Sequence, residues 1–253
     1  TELQRAALTA ADPETAVRRH VRRDGDVFTI AGRRYDLDAY ERIFVIGGGK
    51  AAIPMSDAIT GILGEQMTEG VVVTKYGHTG TWSAPRFEVI EAAHPVPDVN
   101  SVRGARAVAA MASRASERDL VVCLISGGGS ALLTLPAEGA TLSELQSLTG
   151  DLLGCGATIN EINAVRKHCS QIKGGNLARL VAPAQMVTLV LSDVIGDPLD
   201  VIASGPTVPD SASLADAQEI LVRYGVAEPA CLREKHKMGD AVFEKVQNVI
   251  VGS

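Results

Sequence analysis

The feature that most constrains this chain is a set of six short apolar runs, nearly continuous in Val, Ile and Leu, at 43–46, 70–74, 87–91, 120–125, 186–191 and 248–251. A strand with one wet face alternates apolar and polar residues; a strand covered on both faces does not need to. Between the runs lie longer amphipathic segments, at 51–63, 101–115, 142–153, 172–181 and 213–224. Strands alternating with helices imply βαβ crossovers, so an α/β fold is expected, with a mainly parallel sheet and helices on both faces. Upstream, residues 2–22 carry a weak helical pattern interrupted at Asp12-Pro13, which fits a helix start. A turn-rich stretch with room for a small hairpin follows.

Composition narrows the function classes. With 46% hydrophobic and 21% charged residues among 253, the chain can bury a large core and is not disordered. The 24 Lys and Arg against 30 Asp and Glu give a net charge of -6. That balance argues against a nucleic-acid coat or a polybasic membrane surface, while leaving a local anion site open. No apolar stretch approaches the ~20 residues needed to span a bilayer, and the polar start TELQRAALTAADPE lacks a signal-peptide core. A cytoplasmic location, with no nucleic-acid or membrane partner, is therefore expected. Cys123, Cys155, Cys169 and Cys231 are widely spaced without a C-x-x-C pair, so reduced thiols are expected.

In parallel sheets ligands bind beyond the carboxyl ends of the strands, and three such ends here carry chemistry. The first run leads into Gly47-Gly48-Gly49-Lys50-Ala51-Ala52. Glycines let a backbone approach a ligand, helix-start N–H groups attract phosphate or carboxylate, and Lys50 adds a point charge. The pattern reads G-x-G-x-x-A, but the acidic residue that would hold a ribose is replaced by Thr74-Lys75, which disfavours NAD and leaves NADP less firmly excluded. The P-loop pattern fails at Phe44 and Ala51. A tight turn without any ligand explains one such glycine run equally well. A second copy, Ser126-Gly127-Gly128-Gly129-Ser130, follows the run at 120–125, and two triple-glycine turns in one sheet favour a phosphate site. Ser126 and Ser130 could bond phosphate oxygens, or Ser130 could cap a helix. A nucleophilic serine is disfavoured, because Gly-x-Ser-x-Gly surrounds none of Ser126, Ser130 and Ser204.

The third end is Ser192-Asp193-Val194-Ile195-Gly196-Asp197-Pro198. Aspartates in turns often bond only locally. Beside a phosphate site the pair Asp193 and Asp197 suits Mg²⁺, or one of them serves as the base for a substrate hydroxyl. The dense polar segment at 159–175 holds Arg166 and Lys173, which could reach a carboxylate or phosphate or could lie on a solvated face. His94, between a strand and Pro95-Val96-Pro97, could bind substrate or cap. His20, His78, His168 and His236 have no metal-ligand spacing and read as structural or exposed.

Taken in order, GGGKAA, EAAHPVPD, CLISGGGSALL, EINAVRKHCSQIKGG and LVLSDVIGDPLDVIASGPTVPD resemble the glycerate 2-kinase family that carries a C-terminal MOFRL domain, over nearly the whole chain. The resemblance implies a Rossmann-like N-terminal domain, ATP and Mg²⁺ as cofactors, and phosphorylation of D-glycerate to 2-phosphoglycerate. It also implies Lys50 and Asp193 as catalytic residues and Gly47, Gly48, Gly49, Ser126, Gly127, Gly128, Gly129, Ser130 and Lys173 as the nucleotide-binding set. His94 and Arg166 would meet the substrate, and Asp193 and Asp197 the metal. The whole of 1–253 would be the large domain, with 248–253 leading toward a C-terminal domain absent from this chain; the active site would lie in the cleft between the two, and the isolated piece would turn over weakly or not at all. A homodimer stays open. Two rivals remain: an NAD(P)H-dependent hydroxypyruvate reductase, as some family members have been named, and a nucleotide or sugar-acid binding module without turnover.

Overall fold

A computed structural model describes residues 12–253. The part of the expected N-terminal helix at 2–11 lies outside the described residues. Asp12 caps α1 (Pro13–His20) by accepting from the Thr15 N–H at 2.7 Å, as Asp-Pro at a helix start favours. The turn-rich stretch then forms an antiparallel meander of β1 (Val21–Asp24), β2 (Val27–Ile30) and β3 (Arg33–Asp36), one strand more than a hairpin.

All six apolar runs form strands. In chain order the rest is β4 (Arg42–Gly48), α2 (Ala52–Leu63), β5 (Glu69–Lys75), β6 (Phe87–Ala92), α3 (Val99–Ala112), β7 (Asp119–Ser126), α4 (Gly129–Leu132), α5 (Leu142–Gly154), α6 (Ile159–His168), α7 (Asn176–Val181), β8 (Gln185–Leu191), α8 (Leu214–Tyr224) and β9 (Val246–Gly252). The six strands form one sheet in the order β6-β5-β4-β7-β8-β9, every pair parallel. The order reverses between β4 and β7, the topological switch point where doubly wound sheets bind ligands.

The unbroken apolar runs are explained by the two cores. Phe44 and Ile46 of β4, with Val121, Cys123 and Ile125 of β7, pack against Ala105, Val108 and Ala112 of α3 and Leu177 and Val181 of α7. Their sequence neighbours Ile43, Val45, Leu120, Val122 and Leu124 face the other way, onto Val17 of α1, Met55 and Ile59 of α2, and Phe28 and Ile30 of the meander. Successive residues of a strand point to opposite faces, so a strand between two cores must be apolar throughout. A third cluster joins α5, α6 and α8 through Leu152, Val165 and Leu221.

One expectation is corrected, and one segment left open takes a definite form. The helix expected over 172–181 starts only at Asn176, because Gly175 takes a left-handed conformation (φ 80) as its N-cap. The polar segment from Ile159 to His168 is itself a helix, closed by a capping box between Thr158 and Glu161. The four cysteines are free. Among the described residues no helix is long and apolar enough to cross a membrane.

Candidate active site

At the switch point the two glycine turns are tied together. The Lys50 N–H donates to the Gly127 carbonyl at 2.9 Å, and the Ala51 N–H to the Ser126 hydroxyl at 3.0 Å. The Gly49 N–H donates to the Val73 carbonyl, and the buried Thr74 hydroxyl donates back to the Gly49 carbonyl at 3.2 Å. The N–H groups of Gly49, Lys50 and Ala51 are thus used inside the protein, contrary to the expectation that the first turn offers them to a phosphate. That turn sets the position of Lys50 instead.

The second turn is different. Among the described residues, none of the Gly127, Gly128, Gly129 and Ser130 N–H groups has a hydrogen-bond partner. Gly128 is left-handed (φ 84, ψ -8), and successive N–H groups around such a residue form an anion-binding concavity. The rim of this concavity is charged. Lys50 Nζ lies 3.8 Å from Asp193 Oδ2, with both side chains about half exposed. A Cβ at Gly128 would lie 3.1 Å from His94 Nε2 and 3.2 Å from Lys50 Cε. Burial, then the positive charges of Lys50 and Lys75, hold the His94 imidazole below its ordinary pKa against the pull of Asp193. A neutral His94 can donate or accept a hydrogen bond at neutral pH.

Gly127 faces Asp193 so closely that a Cβ there would overlap the carboxylate, with Cγ 2.5 Å away. Its backbone is not left-handed, so alanine fits the chain but pushes the exposed Asp193 aside. Gly127→Ala should leave the melting temperature of the native protein within a few degrees while lowering turnover roughly 10- to 100-fold; a thermal melt beside a rate measurement checks both.

Asp197 sits in the same acidic turn with a left-handed backbone (φ 52). Its buried Oδ1 has no hydrogen-bond partner, and a buried carboxylate oxygen left so calls for water or a cation. Asp193 and Asp197 border one hollow of about 310 Å³. No group of three or more His, Cys, Asp or Glu suited to a metal exists among the described residues. The orphaned Asp197 oxygen and the shared hollow are compatible with a divalent cation such as Mg²⁺, whose remaining ligands would be substrate oxygens and water.

The basic segment supports the second turn from behind. Lys173, 3% exposed, donates to the Ser130 carbonyl at 2.6 Å and the Leu133 carbonyl at 3.2 Å; Arg166 donates to the Ser130 carbonyl at 3.4 Å. Burial, with a smaller contribution from Arg166, pulls the Lys173 ammonium well below its ordinary pKa. Ser130 and Ser204 share a hydrogen bond between hydroxyls at 2.8 Å.

A larger hollow of about 540 Å³, lined by Arg106, Glu138 and Leu180 among others, holds none of these residues.

Residues 1–235 match the family described as Domain of unknown function (DUF4147). The chain belongs to this family. It is 51% identical over 186 residues to a D-glycerate 2-kinase of Thermotoga maritima, covering 74% of this chain and 44% of that one. It is 48% identical over 192 residues to an Agrobacterium vitis protein bearing the name of a hydroxypyruvate reductase, covering 76% and 43%. A solved structure from Pyrococcus horikoshii superposes with a TM-score of 0.91 at 40% identity, covering 100% of this chain and 59% of that one. The chain spans about half the length of the curated relatives it matches.

Two further residues of this DUF4147 chain, not among the candidates marked by its motifs, lie beside the candidate site. His78 lies against the Lys50 carbonyl, its Nδ1 3.0 Å away, and the charge of Lys75 reaches His94. The signal was their place at the carboxyl end of β5, next to β4: Lys75 is its last residue and His78 lies just past it.

Proposed function

We propose that the protein carrying this chain phosphorylates D-glycerate with ATP, giving 2-phosphoglycerate. The reading is carried by one observation: four unpartnered N–H groups at the switch point open beside Lys50, Asp193 and His94. Similarity to a D-glycerate 2-kinase supplies the substrate. Phosphoryl transfer asks a protein mainly to align the reactants and to stabilise charge on the phosphoryl oxygens. The Gly127–Ser130 concavity would hold phosphate oxygens, and Lys50 would neutralise the group in transit. Asp193 would orient the glycerate hydroxyl and accept its proton, and His94 would meet the substrate's polar groups. Asp193 and Asp197 would hold Mg²⁺ together with phosphate oxygens, and the ion would screen the negative charge of the polyphosphate. In the whole protein a further domain would complete the open side of this cleft, as the greater length of the relatives supports.

The reductase reading is disfavoured by β5. An acidic residue there would bind a ribose, yet buried Thr74 is tied to the Gly49 carbonyl and Lys75 follows it. One experiment compares the readings: ADP release by the native protein with D-glycerate, L-glycerate and hydroxypyruvate, beside NADH and NADPH oxidation with hydroxypyruvate. ADP release with D-glycerate alone, and no nicotinamide oxidation, is expected; the reverse pattern defeats the proposal.

A further inference from the structure

A cavity of about 380 Å³ opens beside the site, between the loop after β6 and the helices α5 and α6. Pro95 and Pro97 form one wall, and Leu145, Leu153, Ile159 and Ile162 the other. Arg166 and Lys173 also border it. Lys173 is buried and Arg166 half-buried, and burial disfavours the charge on both, with the like charge of Arg166 adding to this at Lys173. Each is held by backbone carbonyls, with Ser130 shared between them. Buried cations are normally paired, so a pair of them facing a cavity is a place for a ligand's anion.

We propose that this cavity takes the purine nucleoside of a nucleoside triphosphate, whose phosphates pass Arg166 and Lys173 to reach the Gly127–Ser130 turn. This rests on the kinase reading and adds to it where the donor's base lies. The walls decide between the two reactants. A three-carbon hydroxy acid has no apolar face to set against prolines and leucines and would leave most of the volume empty. A flat aromatic base fills such a slot and buries its faces against the walls, as in most ligand pockets. Arg166 and Lys173, which border the cavity, both donate to the carbonyl of Ser130, the last residue of the anion concavity, so the two lie side by side and one extended ligand would reach from one to the other. His94, which borders Gly128, is adjacent in sequence to Pro95, which lines the cavity.

Gly150 of α5 lines the cavity, is exposed, and a Cβ built on it meets nothing within 4 Å. Gly150→Leu therefore adds bulk to the slot and favours the helix. Leu153, 59% exposed, can be changed to Ser without opening a core. Calorimetric titration of the native protein with ATP and with inorganic tripolyphosphate tests the assignment. Gly150→Leu should weaken ATP binding by at least about ten-fold and leave tripolyphosphate within about two-fold, and Leu153→Ser should move ATP affinity in the same direction. ATP affinity unchanged in both variants, or ATP bound by the unaltered native protein no better than tripolyphosphate, overturns the cavity assignment and leaves the kinase reading standing. Failure of both ligands to bind removes the kinase reading, and this inference with it.

Discussion

Lys50→Ala should lower glycerate-dependent ADP formation by the native protein by about 10²- to 10³-fold, the loss that follows removal of one group aimed at developing charge. The fold should be nearly untouched. The Lys50 side chain is 41% exposed, and its one ion-pair partner among the described residues, Asp193, is 56% exposed at 3.8 Å. A pair so open to solvent contributes about 0–1 kcal/mol. The contact that fixes this turn, from the Lys50 N–H to the Gly127 carbonyl, is made by backbone and survives in alanine. Turnover and melting temperature should therefore separate, with the first collapsing and the second moving by no more than about two to four degrees. A variant that turns over near the parent rate would remove Lys50 from the mechanism; one that melts much earlier would show that the lysine holds the turn together.

The sheet was legible in the sequence because burial on both faces leaves no alternative to continuous apolar runs. Ile43 and Val45 feed one core while Phe44 and Ile46 feed the other, so unbroken apolar runs of strand length mark each strand of the six-stranded sheet, though not the three of the meander. The switch point followed less directly. Parallel strands with helical crossovers bring all carboxyl ends to one edge, but only the strand order shows that β4 and β7 are neighbours and that their glycine turns touch. The division of labour between those turns could not be read at all. It depends on which N–H groups are already bonded, and the partners of Gly49, Lys50 and Ala51 lie 24, 77 and 75 residues along the chain, at Val73, Gly127 and Ser126. The helix at Ile159–His168 was hidden for another reason. Its charges read as a basic segment, whereas the Thr158 to Glu161 capping box is the local signal that marks a helix start.

The largest effect on stability is expected from Gly47→Ala. Gly47 has φ 147, outside the range that side-chain-bearing residues readily adopt, and a Cβ there would overlap the Leu124 carbonyl, whose carbon lies 2.8 Å away. Both partners are backbone in adjacent central strands, paired in register as Gly47 to Leu124, so neither can rotate out of the way as a side chain could. Backbone strain and forced overpacking each cost about 1–3 kcal/mol. A combined loss of about 4 kcal/mol is a large share of the ~5–15 kcal/mol that stabilises a typical domain. At this chain length it corresponds to a fall in melting temperature of roughly 8–16 °C. Gly150→Ala is the matched control: the residue lies in α5 with nothing near its Cβ, and alanine there should raise stability by about 0.5–1 kcal/mol. Denaturant titrations of the two variants should therefore diverge in sign. Equal behaviour would mean that the close approach of β4 to β7 at Gly47 can relax, and the narrow junction that sets Lys50 against the Gly127–Ser130 turn would lose its structural basis.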